Sequence, residues 1–180
     1  MPVNPPTMFS PAAGLTFGRG GAGAGPPKIE HRIGIQAPAE VIWAILADLP
    51  AWADWNPLYP EAAGGLRIGA RLDLTLALPG EAPRRIRPTV LDWVPNDQIH
   101  WTLSMLGGLV HSVRYIEIEV LGDANCILSN GEIFQGLLGA SVARRKRAAI
   151  RRGFKDMGEA LAARAEAVWR AGGGQPISAS

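Results

Sequence analysis

Arg114 in "VHSVRYIEIEV" and Glu132 in "NCILSNGEIF" stand where opposite charges could do chemistry or hold a polar ligand. Both segments alternate like half-buried strands, and "LGDA" between them suits a hairpin turn. In the first, Ile116, Ile118 and Val120 share the inner face, so the period of two also turns Ser112 and Arg114 inward. In the second, an inward Leu128 and Phe134 bring Cys126, Asn130 and Glu132 with them. The opposite parity would bury Ile127 and Ile133 with Ser129 and Gly131, and alternation alone leaves the two open. A hairpin turning about Asp123 sets Val120 opposite Cys126, Ile118 opposite Leu128, Ile116 opposite Asn130 and Arg114 opposite Glu132.

Two opposite charges facing an apolar cavity need each other, or a ligand, to offset desolvation. The expectation is a polar anchor, Arg114–Glu132, with Asn130 and Ser112 adding hydrogen bonds; a self-satisfied structural ion pair is the alternative. Glu132 is the candidate general acid or base, although an adjacent Arg114 would keep it ionised rather than raise its pKa. His31, His100 and His111 read as surface residues. No two histidines have metal-ligand spacing and Cys126 stands alone, so hydrolytic and metal chemistry are disfavoured and no cofactor is called for.

The elements that must position these groups follow the chain. Residues 1–27 hold six Gly, six Pro and one charge, which reads as a flexible tail. Within it "GRGGAG" matches a dinucleotide-binding glycine pattern without the strand and helix that pattern needs. "KIEHRIGIQ" opens a single domain over 28–170 as a strand, and "APAEVIWAILADLP" is a helix stopped by Pro50. "RLDLTLAL", "RRIRPTVLDW" and "DQIHWTLSM" precede the hairpin as strands. A helix from about Leu138 to Trp169 closes the domain, with a tail over 171–180. This order gives an α+β fold: one continuous antiparallel sheet curled around a long C-terminal helix, with a residual gap as pocket.

With 18 basic and 16 acidic residues the net charge is +2, so no whole-molecule field favours nucleic acid. The segment "RRKRAAIRRGFK" packs seven Arg or Lys between Arg144 and Lys155. It reads as a solvated helix face, the alternative being a site for an anionic membrane, an acidic partner or nucleic acid. No apolar run reaches membrane-spanning length, and a lone cysteine suits a reducing, cytoplasmic setting.

Four stretches, "APAEVIWAILADLPAWADWNP", "RPTVLDWVPNDQIHW", "GGLVHSVRYIEIEV" and "NGEIFQGLL", resemble the SRPBCC superfamily. This is the helix-grip fold of START lipid-transfer domains, the birch-pollen allergen and polyketide cyclases. The nearest resemblance is to its bacterial polyketide cyclase/dehydrase-type branch, over about residues 28–165. It implies a deep apolar cavity between sheet and C-terminal helix, two short helices near the N-terminus, and the first parity for "NCILSNGEIF". Where many members carry Gly and His, this chain has Ser112 and Arg114, so no role of that histidine transfers. The expected function is binding of a small hydrophobic or amphipathic molecule by a monomer or homodimer. The alternative is a cyclase or dehydratase acting on a polyketide-like or aromatic substrate through Glu132. Candidate walls are Leu74, Leu76, Val90, Trp101, Ile116, Leu128, Phe134, Phe154, Met157 and Leu161, most of them serving as ordinary core. In "WADWNP", Trp55 is expected beneath the long helix as core. Trp52 is either a cavity-mouth residue or a half-exposed cap.

Overall fold

The computed structural model describes residues 25–174; the expectations for 1–24 and 175–180, "GRGGAG" among them, lie outside the described residues. Strand β1 (Lys28–Ile35) leads into helix α1 (Ala39–Ala47) and a short 3₁₀ helix (Leu49–Asp54). Then come β2 (Glu61–Ala63), β3 (Asp73–Leu76), β4 (Arg84–Ile86), β5 (Thr89–Val94), β6 (Gln98–Met105), β7 (Val110–Gly122) and β8 (Asn125–Gln135). The 33-residue helix α2 (Gly139–Ala171) closes the fold. Pro50 ends α1 as expected and also opens the 3₁₀ turn, where its missing N–H costs nothing.

The helix-grip architecture is present, but the sheet is not continuous. Five strands run β1-β8-β7-β6-β5, while β2-β3-β4 form a separate small sheet. The break falls at Pro88, which lacks a ladder donor and splits the expected strand "RRIRPTVLDW" into β4 and β5. A lone bridge, Arg71 to Thr89, ties the two sheets together. The hairpin register follows the alternation: Val120 pairs with Cys126, Ile118 with Leu128, Ile116 with Asn130 and Arg114 with Glu132. Val120 keeps the inner parity but is 60% exposed, because it lies past the end of the core near a register shift.

α2 lays Ile150, Phe154, Met157 and Leu161 into the sheet's concave face beside Ile116, Leu128 and Phe134. His31 corrects the surface reading of the histidines. It shares parity with Ile29 and Ile33 and packs under α2 at Gly158, with Nδ1 buried and unpartnered. Burial there lowers its pKa.

Candidate functional site

Tertiary packing leaves a cavity of about 710 Å³ between the concave face of β6–β8, the β3–β4 hairpin and the first half of α2. That volume suits a small organic molecule. Seven of the expected residues stand on its wall: Leu76, Trp101, Ser112, Arg114, Glu132, Phe134 and Phe154. Leu74, Val90, Ile116, Leu128, Met157 and Leu161 are buried core away from it.

Arg114 is the centre of the wall and is 2% exposed. Nη1 donates to the carbonyls of Tyr115 (2.5 Å) and Gly131 (2.9 Å), and Nη2 donates to Asn130 Oδ1. Phe154 and Trp101 flank the guanidinium, with ring centroids 4.1 and 5.6 Å from Cζ. Asn130 in turn donates to the Phe154 carbonyl at 2.8 Å, so a polar chain joins β7, β8 and α2. Both functional ends of Asn130 are thereby occupied within the protein.

The expected Arg114–Glu132 ion pair does not form among the described residues. The two residues are in register, yet the guanidinium turns along the strand toward Asn130 and α2. Glu132 instead keeps partial exposure toward the cavity, with protein enclosing it on its other sides. Its pKa is raised, first by burial; Ser112 nearby and the charges of Arg114 and Arg84 oppose the shift and do not win. The expectation that Arg114 would hold the Glu132 pKa down is therefore corrected: burial outweighs that charge, which three oxygens elsewhere also bind. Ser112 Oγ, although beside Glu132, makes no hydrogen bond of good geometry, and Arg114 Nε is likewise buried and unpartnered.

The tryptophan turn also differs from expectation. Trp52 is fully buried and its indole N–H donates to the Leu46 carbonyl at 3.1 Å, whereas Trp55 is only half-buried. Trp52 faces neither mouth nor solvent. It packs at a tilt behind Tyr59 (centroids 5.7 Å), which lies edge-on to Trp101 at 6.0 Å and forms part of the wall. Asn56 Oδ1 accepts from the backbone N–H groups of Leu58 and Tyr59, both at 3.1 Å, and this Asx turn aims Tyr59. Tyr59 was missed in the sequence because its burial depends on β6, far along the chain. Arg84 was also missed, although its alternation with Ile86 signals an inward side chain.

The sequence model for the polyketide cyclase / dehydrase and lipid transport family matches residues 26–169. The chain belongs to this family. Solved structures agree on the fold. The ZhuI aromatase/cyclase from Streptomyces sp. R1128 superposes with TM-score 0.67 at 21% identity, covering 83% of this chain and 99% of that one. A START superfamily protein from Mycobacterium smegmatis gives 0.62 at 20% identity, covering 78% and 98%. Norcoclaurine synthase from Thalictrum flavum, in complex with dopamine and hydroxybenzaldehyde, gives 0.59 at 17% identity, covering 80% and 87%. A comparison with curated protein sequences returned no match. At these identities the polyketide cyclase / dehydrase family likeness speaks for architecture. No helix among the described residues is long and apolar enough to cross a membrane, and none of their His, Cys, Asp and Glu side chains cluster as metal ligands.

Proposed function

We propose that this polyketide cyclase / dehydrase family member binds a small oxygenated hydrophobic molecule in the cavity. The observation that carries this reading is a carboxyl with raised pKa, Glu132, on a wall it shares with Leu76, Trp101, Phe134 and Phe154. The unpartnered Ser112 Oγ and Arg114 Nε are hydrogen-bond donors of this wall, and the Glu132 carboxyl joins them when protonated, the form its raised pKa favours. All three favour a ligand with acceptor oxygens, such as a ketone, over a pure hydrocarbon.

A second reading is supported by the same raised pKa. Glu132 could then give and take a proton near neutral pH, as a cyclase or dehydratase of polyketide-like or aromatic substrates requires. Native mass spectrometry of the purified protein, followed by titration with 1-tetralone and with naphthalene, tests the binding reading. Saturable binding that prefers the ketone is expected, weakened by Ser112→Ala. An empty cavity with no saturable binding of either compound would overturn it. Catalysis would add turnover of an aromatic polyketone that Glu132→Gln abolishes while binding persists.

A further inference from the structure

The cavity wall is unevenly charged. Besides the buried Arg114, five cationic side chains, Arg84, Arg85, Arg87, Arg145 and Lys146, stand on it, against the single carboxyl of Glu132. Two of the five are neutralised: Arg87 by Asp73 at 2.8 Å and Lys146 by Glu81 at 2.6 Å. Arg85 has the outward parity of β4, opposite Thr75. Arg84 and Arg145 remain, both exposed at the rim and neither within ion-pair distance of a carboxylate among the described residues.

Their placement is inward rather than general to the surface. Arg84 pairs in register with Leu76, itself a wall residue, and its Nη2 lies 3.9 Å from Met105 Sδ, another wall residue. The charge of Arg84 is felt at both Tyr59 and Glu132. Arg145 projects from the opposite side, three residues after the wall residue Val142 on α2. Two free guanidiniums at the mouth of a low-dielectric funnel concentrate positive potential where a ligand must enter. A guanidinium also matches the planar fork of a carboxylate, sulfonate or phosphate.

We propose that the cavity takes an organic anion, with its apolar body against Trp101 and Phe154 and its one negative group between Arg84 and Arg145. This rests on the reading of the cavity as a ligand site. An acidic protein would more readily meet the outward Arg144, Arg147 and Arg151, which the cavity does not use.

Two fluorescent probes with one aromatic skeleton separate the ideas: 1-anilinonaphthalene-8-sulfonate, and N-phenyl-1-naphthylamine, which lacks the sulfonate. The sulfonate should bind about five- to tenfold more tightly at low ionic strength, as two partly screened charge-assisted contacts allow. That advantage should fade in about 0.5 M salt. The double variant Arg84→Gln/Arg145→Gln should remove it while leaving the neutral probe unchanged. Equal affinities, or a sulfonate preference that survives both substitutions, would overturn the proposal while leaving the ligand-site reading intact. Binding of neither probe would take down both. Displacement of the sulfonate by dodecanoate and not dodecanol would point to a free organic acid as the source. Displacement by vesicles of phosphatidylcholine with phosphatidylglycerol, and not by phosphatidylcholine alone, would point to an anionic lipid headgroup. Equal displacement by charged and neutral competitors would again overturn the proposal.

Discussion

Arg114 and Glu132 stand directly opposite each other on β7 and β8, yet their charges do not pair. The guanidinium is held by Asn130, the Gly131 carbonyl and two aromatic rings, and Glu132 is left to the cavity. A register that looks like an ion pair instead separates a structural cation from a chemically available acid.

Arg114 is accordingly a structural hub, and Arg114→Met will not be a clean binding variant. It deprives Asn130 Oδ1 and the Gly131 carbonyl of their donor and should destabilise by about 2–4 kcal/mol. Arg114→Lys should recover little, since a point-like ammonium cannot serve three oxygens in one plane. Urea denaturation monitored by tryptophan fluorescence reads both.

Glu132 should impose a pH dependence on stability. With its folded pKa raised, the native protein retains a proton that the unfolded chain has released. Stability should then fall as pH climbs from the ordinary glutamate range through the raised value, and level off above it. Glu132→Gln should flatten that slope and exceed the wild type on the alkaline side. Denaturant midpoints compared across pH check the sign; a parallel slope in the variant would assign it to other groups.

The two tryptophans of the turn should differ sharply. Trp52→Ala empties a fully buried site behind Tyr59 and should cost about 3–5 kcal/mol. Trp55→Ala should cost less than half as much, because the ring is already partly in water. Thermal unfolding of the two variants side by side measures the difference.

Gly131 should tolerate no side chain. On the sheet's outer face Tyr115 lies across it and donates its hydroxyl to Glu30 at 2.6 Å. A Cβ at 131 would run into the Tyr115 hydroxyl and the ring carbon that bears it. Gly131→Ala should cost about 1–3 kcal/mol by displacing the ring and breaking that bond. Burial, then Glu30, pushes the Tyr115 phenol up to about 12. The variant should bring its ultraviolet titration back toward that of free tyrosine.

The alternation in β7, with the short turn to β8, was enough to place the hairpin and the inward Ser112 and Arg114, while the inward parity of Glu132 came from the family resemblance. The hairpin and the β7 parity are local: a period of two and a turn length leave little freedom. The long apolar stripe of α2 and the order of elements likewise gave an α+β domain with the sheet curled around that helix, and the resemblance named it a helix grip. Other outcomes waited on the tertiary structure. A strand pattern says which way a Cα–Cβ bond points, and not where the end of an arginine goes. Asn130 and the rings of Trp101 and Phe154 decided that, one ring coming from α2. The break at Pro88 was written in the sequence, but its effect, a separate small sheet carrying Arg84 to the cavity, depended on how the hairpin packed. The pair Trp52 and Trp55 exchanged their expected roles for the same reason. Three residues apart on a short turn, they were distinguished only by which one met Tyr59.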